Sequence, residues 1–193
     1  MYEFIQGNVV ELSPAYAVVE NGGIGYFLSI TVNSYSQLAV NTKCKLLLHQ
    51  IIREDAHQLF GFVEASEREL FRLLISVSGI GANTARIILS SLTPEELSTA
   101  ISTENVRLLQ GVKGIGAKTA QRMIIDLKDK VTKVQIEHKI SAGPNNTMRD
   151  EALSALVMLG FARNQVQKVL EQISKENRNL SVEEIVKQAL KVL

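Results

Sequence analysis

A stretch of ten residues occurs twice. Val77-Ser-Gly-Ile-Gly-Ala-Asn-Thr-Ala-Arg86 returns 35 positions later as Val112-Lys-Gly-Ile-Gly-Ala-Lys-Thr-Ala-Gln121, with seven of ten positions identical. A repeat this sharp inside a short chain implies one supersecondary unit used twice, with both copies answering to the same physical demand.

The second copy shows what that demand is. A helix over Glu104 to Gln110 stops at Gly111, a tight turn Gly114-Ile115-Gly116 follows, and a new helix starts near Ala117 and continues to about Lys130. The two glycines permit positive φ and lack a Cβ, so an oxygen-bearing ligand can come close to the backbone. The helix start leaves several N–H groups unpaired at the positive end of the helix dipole, which makes an anion site. Ile115 is the expected plug between the two helices. Lys118 and Thr119, in the first turn, can add a charge-assisted bond and a hydroxyl bond to the same phosphate, and Arg122 lies one turn on. The first copy supplies Gly79, Ile80, Gly81, Asn83, Thr84 and Arg86. Joined by helices, two such units can sit as a pseudo-two-fold pair and hold phosphates on both strands across a minor groove. Such contacts carry no sequence information. The bland alternative is that each GIG is only a turn between packed helices. The first copy has Ala82-Asn83 where the second has Ala117-Lys118, so its binding should depend less steeply on salt.

Other chemistries fit poorly. Residues 111–119 approach the phosphate-loop pattern G-x-x-x-x-G-K-[ST], but Ala117 intervenes between glycine and lysine, and the preceding segment reads as helix where that loop requires a strand. His49, His57 and His138 are far apart in sequence and lack metal-ligand spacing, and no G-x-S-x-G is present. The chain is therefore expected to be non-catalytic on its own, with no metal and no cofactor. Aromatics make up 5% with no Trp, which disfavours a stacking groove along a single strand. Net charge is +1, so any DNA contact must rest on placed groups. Residues 1–64 hold three basic against six acidic side chains, and residues 65–130 nine against seven. No apolar run reaches a membrane span, the opening MYEFIQGNVVEL lacks signal-peptide character, and the lone Cys44 reads as a small core residue. A cytoplasmic setting is expected.

The flanks differ in period. In residues 1–64, Phe4 to Leu12, Ala17 to Val19, Tyr26 to Val32, Leu46 to Ile52 and Leu59 to Val63 read as short strands. Pro14, Asn21-Gly22-Gly23 and the polar Arg53-Glu54-Asp55-Ala56 supply the turns, which predicts a small OB-type barrel. Residues 65–130 read as five helices, with capping boxes expected at Ser66/Glu69 and Thr93/Glu96. Residues 131–147 lose periodicity and are expected to form a flexible linker. Residues 148–193 read as a three-helix bundle: one helix to Leu159 capped by Thr147 with Asp150, a break at Gly160, a second from Arg163 to Ser174, and a third capped by Ser181/Glu184. The fold class is thus multidomain, β then α.

This order of parts, with SGIGANTA paired to KGIGAKTA and the turn Arg53-Glu54-Asp55-Ala56, resembles the RuvA family over the whole chain. The resemblance implies a homotetramer, and an octamer when two tetramers sandwich DNA, that holds a four-way Holliday junction open during recombination and repair. It implies that Glu54 and Asp55 form an acidic pin at the crossover. It also implies that the terminal bundle, similar to ubiquitin-associated domains, recruits the hexameric ATPase RuvB through residues such as Leu156, Leu159 and Phe161, and that the resolvase RuvC joins the same complex. A generic duplex-binding repair module and a scaffold without DNA binding are the alternatives.

Overall fold

The computed structural model describes residues 1–140, 147–176 and 180–193, and side chains at 1–131, 148–173 and 180–193. Five strands open the chain: β1 (Phe4–Ser13), β2 (Tyr16–Asn21), β3 (Ile24–Ser29), β4 (Lys43–Arg53) and β5 (Ala56–Phe62). They close into a barrel in the order β1-β2-β3-β5-β4, the topology of an OB-like fold. Antiparallel β1–β4 pairing and a parallel bridge from Ser29 to Phe60 complete the ring. Alternation sets the lining: Ile5, Val19, Leu28, Leu46 and Leu48 point inward and are buried. The β2–β3 turn is Gly22-Gly23 with φ of 59° and 82°, the left-handed pair that a two-residue hairpin demands. Gly7 has a different task, since a Cβ there would lie 2.1 Å from the Glu20 carbonyl oxygen on the neighbouring strand.

Between β3 and β4 the chain forms α1 (Val32–Tyr35), where the sequence pattern had predicted a strand reaching Val32. Thr31 explains the difference, because its hydroxyl accepts the Ser34 amide at 3.0 Å and caps a short helix. The same two residues reach α2 (Ala65–Ile75). Thr31 Oγ1 donates to Glu67 Oε1 at 2.5 Å, and Ser34 Oγ donates to Oε2 at 2.7 Å. Burial pushes the Glu67 carboxyl above its ordinary range, while these two hydroxyl bonds pull the other way. The expected Ser66/Glu69 capping box does not form. Helix α2 starts at Ala65 with Glu64 as N-cap and no side-chain cap bond, so Ser66 falls inside the first turn, while Glu69 pairs with Arg72 at 2.8 Å.

Four more helices follow: α3 (Ala82–Ser91), α4 (Pro94–Ser102), α5 (Val106–Gln110) and α6 (Ala117–Ile140). The Thr93/Glu96 capping box is present. Helix α5 starts two residues later than the sequence pattern predicts, because Glu104 takes φ +56° and Asn105 caps the Leu108 amide at 3.1 Å. Helix α6 runs on to Ile140, ten residues beyond the end expected at Lys130. Of the expected linker, residues 141–146 lie outside the described residues. The core of α2–α6 extends into the barrel wall: Phe60 and Phe62 of β5 pack on Phe71 with ring centroids 5.0 Å apart in both pairs. Residues Met1–Gln135 accordingly form one compact unit, and Ile136–Leu193 form a second.

The second unit contains α7 (Thr147–Met158), α8 (Arg163–Glu176) and α9 (Val182–Ala189) around Ala152, Leu156, Val166, Leu170 and Ile173. Ser181 and Glu184 form the expected capping box, whereas the Thr147 side chain, proposed as a cap, lies outside the described side chains. Among the described residues, no helix is long and apolar enough to cross a membrane.

Candidate nucleic-acid interface

The two hairpins are geometric copies. Gly79 and Gly114 take φ of 92° and 91°, a conformation that side chains strain to adopt. Ile80 N–H donates to the Val77 carbonyl at 3.0 Å, and Ile115 N–H to that of Val112 at 3.1 Å. Ala85 N–H and Ala120 N–H each close the first helical turn on a glycine carbonyl, Gly81 and Gly116, at 2.9 Å. Ile80 and Ile115 are buried, as are Ala85 and Ala120, so each plug locks its turn to the shared core. Both isoleucines were expected at the binding site. Their side chains face the core, and only their backbone borders the surface.

Above each plug the helix start stands open. Gly81 caps α3 with no side chain to offer, and among the described residues no acceptor meets the amides of Ala82, Asn83 or Thr84. The amides of Ala117, Lys118 and Thr119 at the start of α6 are likewise without a partner. Gly81 has φ −85°, ordinary extended backbone, and Gly116 also avoids the left-handed region. A Cβ at either would meet nothing within 4 Å. The fold itself therefore has no need of glycine at these two positions. What the missing Cβ does provide is access from outside to a row of bare amides.

The charged residues separate the copies. Lys118 is exposed in the first turn of α6 and Thr119 is half-buried beside it. Arg122 is exposed and lies 3.7 Å from Asp126 one turn on, which offsets part of its charge. Arg86, the first copy's expected phosphate ligand, is otherwise engaged: its Nη1 donates to the Ala15 carbonyl at 2.8 Å, reaching the β1–β2 turn of the barrel. Sequence reasoning missed this brace because the partner is 71 residues away.

Glu54 and Asp55 form the two-residue turn between β4 and β5, closed by the Arg53–Ala56 pair, and both are exposed. Cys44 is half-buried against the barrel core, and burial pushes its thiol up. His49 packs edge-on against Phe71 at 5.4 Å, and burial, then the Arg72 charge, hold its imidazole below the usual range. Among the described residues no His, Cys, Asp or Glu cluster could hold a metal. In the second unit Leu156 is fully buried, which removes it from the expected partner face. Its position on α7 points it at α8 and α9. Leu159 is 62% exposed, Met158 beside it is 88% exposed, and Phe161 packs partly against the core.

Comparison with known proteins matches these parts in order. The model of the RuvA N terminal domain covers residues 1–61, that of the SAM-like helix-hairpin-helix tandem covers 71–129, and that of the RuvA C-terminal domain covers 147–193. The chain is 49% identical, over 193 residues and 100% of both sequences, to a protein of Christiangramia forsetii named Holliday junction branch migration complex subunit RuvA. Proteins of the same name from Flavobacterium psychrophilum and Bacteroides fragilis are 50% and 49% identical, again over 100% of each sequence. Barrel, paired hairpins and terminal helices are thus shared along the full length with sequences this similar, and the chain belongs to the RuvA family.

Proposed function

We propose that this chain binds four-way DNA junctions through phosphate contacts at its two hairpins, without sequence preference, and holds the junction open as a tetramer. The observation that carries this reading is the pair of glycines, Gly81 and Gly116, that the fold does not require and that lie over unpartnered amides. Lys118 and Thr119 strengthen the second phosphate site, and the proposed ligands of the first are the backbone around Gly79 to Gly81 with Asn83 and Thr84. Glu54 and Asp55, exposed at a turn tip and without an ion pair among the described residues, repel phosphate and keep duplex from running through the centre. The chain performs no chemistry itself. Its second unit recruits the RuvB ATPase, and Leu159 and Met158 are among the exposed apolar side chains available for that contact. The complex works in the cytoplasm, and RuvC acts on the same junction.

A gel-shift series of a four-way junction against linear duplex of the same arm sequence, with assembly mass measured in parallel, tests the reading. The expected result is tighter binding to the junction and a tetrameric mass. Equal affinity for both DNAs by a monomer would leave a generic duplex-binding module, and no salt-sensitive binding at all would leave a scaffold.

A further inference from the structure

One exposed feature of the barrel has no part in the hairpin chemistry. Phe27 of β3 stands on the outer face with 58% of its surface exposed, and Tyr16 of β2 stacks beneath it with ring centroids 4.8 Å apart and planes 23° apart. The strand register places Phe27 opposite Val18 and Tyr16 opposite Ser29, so the two rings are diagonal neighbours on one surface. Phe4, another exposed aromatic of the barrel, differs in that the Lys45 ammonium sits 4.4 Å from its ring centre. The Phe27 stack is also next to the first hairpin. Tyr16 follows Ala15, and the Ala15 carbonyl receives the Arg86 guanidinium from α3, the helix whose first turn carries the open amides.

We propose that Phe27, backed by Tyr16, is a stacking platform for one unpaired nucleobase at the strand-exchange point of a junction. The proposal rests on the DNA-binding reading above and adds a contact of a different chemical kind. The strand positions flanking Phe27 carry Val18, Gly25 and Ser29, and the next residue across the sheet from Val18 is Glu11. These strand positions carry no cation for a phosphate, and Arg86 beside Tyr16 is directed at the Ala15 carbonyl, but a flat neutral ring can lie here. Inside a duplex the base faces are already stacked, so only the exchange point can present one. The low aromatic content argues against a groove that tracks a strand, and a single platform makes no such demand. A second copy of the chain fits this site less well. One aromatic ring buries about 200 Å², against roughly 800 Å² per partner in a stable interface, and the flanking side chains are small or half-buried.

The test uses the full chain and a four-way junction carrying, at the exchange point, a fluorescent adenine analogue whose emission is quenched by stacking. Wild type is expected to quench the analogue at the exchange point and to leave it unchanged in mid-arm duplex. Phe27→Ala and Phe27→Leu should lose the quenching and bind the junction about 5- to 100-fold more weakly, while Phe27→Trp should retain both. Phe27 is exposed, so the variants should keep the wild-type melting temperature and assembly mass. Phe27→Leu binding and quenching like wild type would overturn the platform, and so would a drop in assembly mass in Phe27→Ala, which would make the face an interface between copies. If Lys118→Ala with Thr119→Ala loses junction binding while Phe27→Ala does not, the platform alone fails. If wild type binds no DNA, the hairpin reading fails and the platform fails with it.

Discussion

The two hairpins have one backbone and two chemistries. Their φ angles agree within a degree, and their plugs and turn bonds match. Their charges do not. The second has Lys118 in its first turn and Arg122 one turn later. The first has Asn83 at the lysine's position, and its Arg86 donates one bond to the carbonyl of Ala15. Backbone amides are thus the common element, and cationic side chains the adjustable one. Arg86 braces the first hairpin against the barrel turn through that bond. The comparison teaches that a duplicated motif can keep its backbone geometry while dividing anchoring and charge between copies.

The strongest challenge to this comparison is to crowd both hairpins at once. Gly81→Val with Gly116→Val should weaken junction binding about 100-fold, because side-chain methyls would hold phosphates off the amides. Its melting temperature should move by less than about 2 °C, since neither site is confined by the protein. Titration beside a thermal melt checks both, and tight binding by this variant would mean the amides are not the shared element. Removing the second copy's additions is expected to do less. Lys118→Ala with Thr119→Ala should cost about tenfold in affinity, and lost ion release should flatten the slope of log affinity on log salt by about 0.9. The reverse change sharpens the contrast further: Asn83→Lys should steepen that slope by about 0.9 and tighten binding several-fold at low salt. The smallest effect on DNA is expected from Arg86→Ala. Losing a charged bond to a carbonyl should lower stability by about 1 kcal/mol, or roughly 2–4 °C for a protein of this size, with little change in affinity. Unchanged melting with a large affinity loss would make Arg86 a phosphate ligand after all.

The parts legible in the sequence are those governed by local chemistry. The hairpins could be read because a left-handed turn and a bare helix start each require particular residues at fixed spacing, and the barrel because alternation and turn residues act over a few positions. Thr93/Glu96 and Ser181/Glu184 cap as their pattern predicts. Ser66/Glu69 carries the same pattern and does not, because the helix start there is set by where β5 ends and by the buried Glu67 meeting Thr31 and Ser34 on another segment. Leu156 was misassigned, and the Arg86 bond to Ala15 was missed, for a related reason. An arginine near a hairpin and a leucine near a helix end look like ligands until the fold supplies a carbonyl for one and a core for the other. Such long-range pairings leave no periodic trace.

Strand β5 joins two regions that would otherwise be read as separate. It begins at Ala56, immediately after the two carboxylates of the β4–β5 turn, and Phe60 and Phe62 anchor its far end among the helices that carry the hairpins. Seven residues of strand at about 3.3 Å each make a strut of roughly 20 Å. The negative tip and the two open helix starts are therefore held at a set offset, like the jaws and stop of a gauge. On the proposed reading, DNA seated at the two helix starts would bring its backbone to a fixed place relative to that tip, so the spacing itself would gauge the shape of what is held.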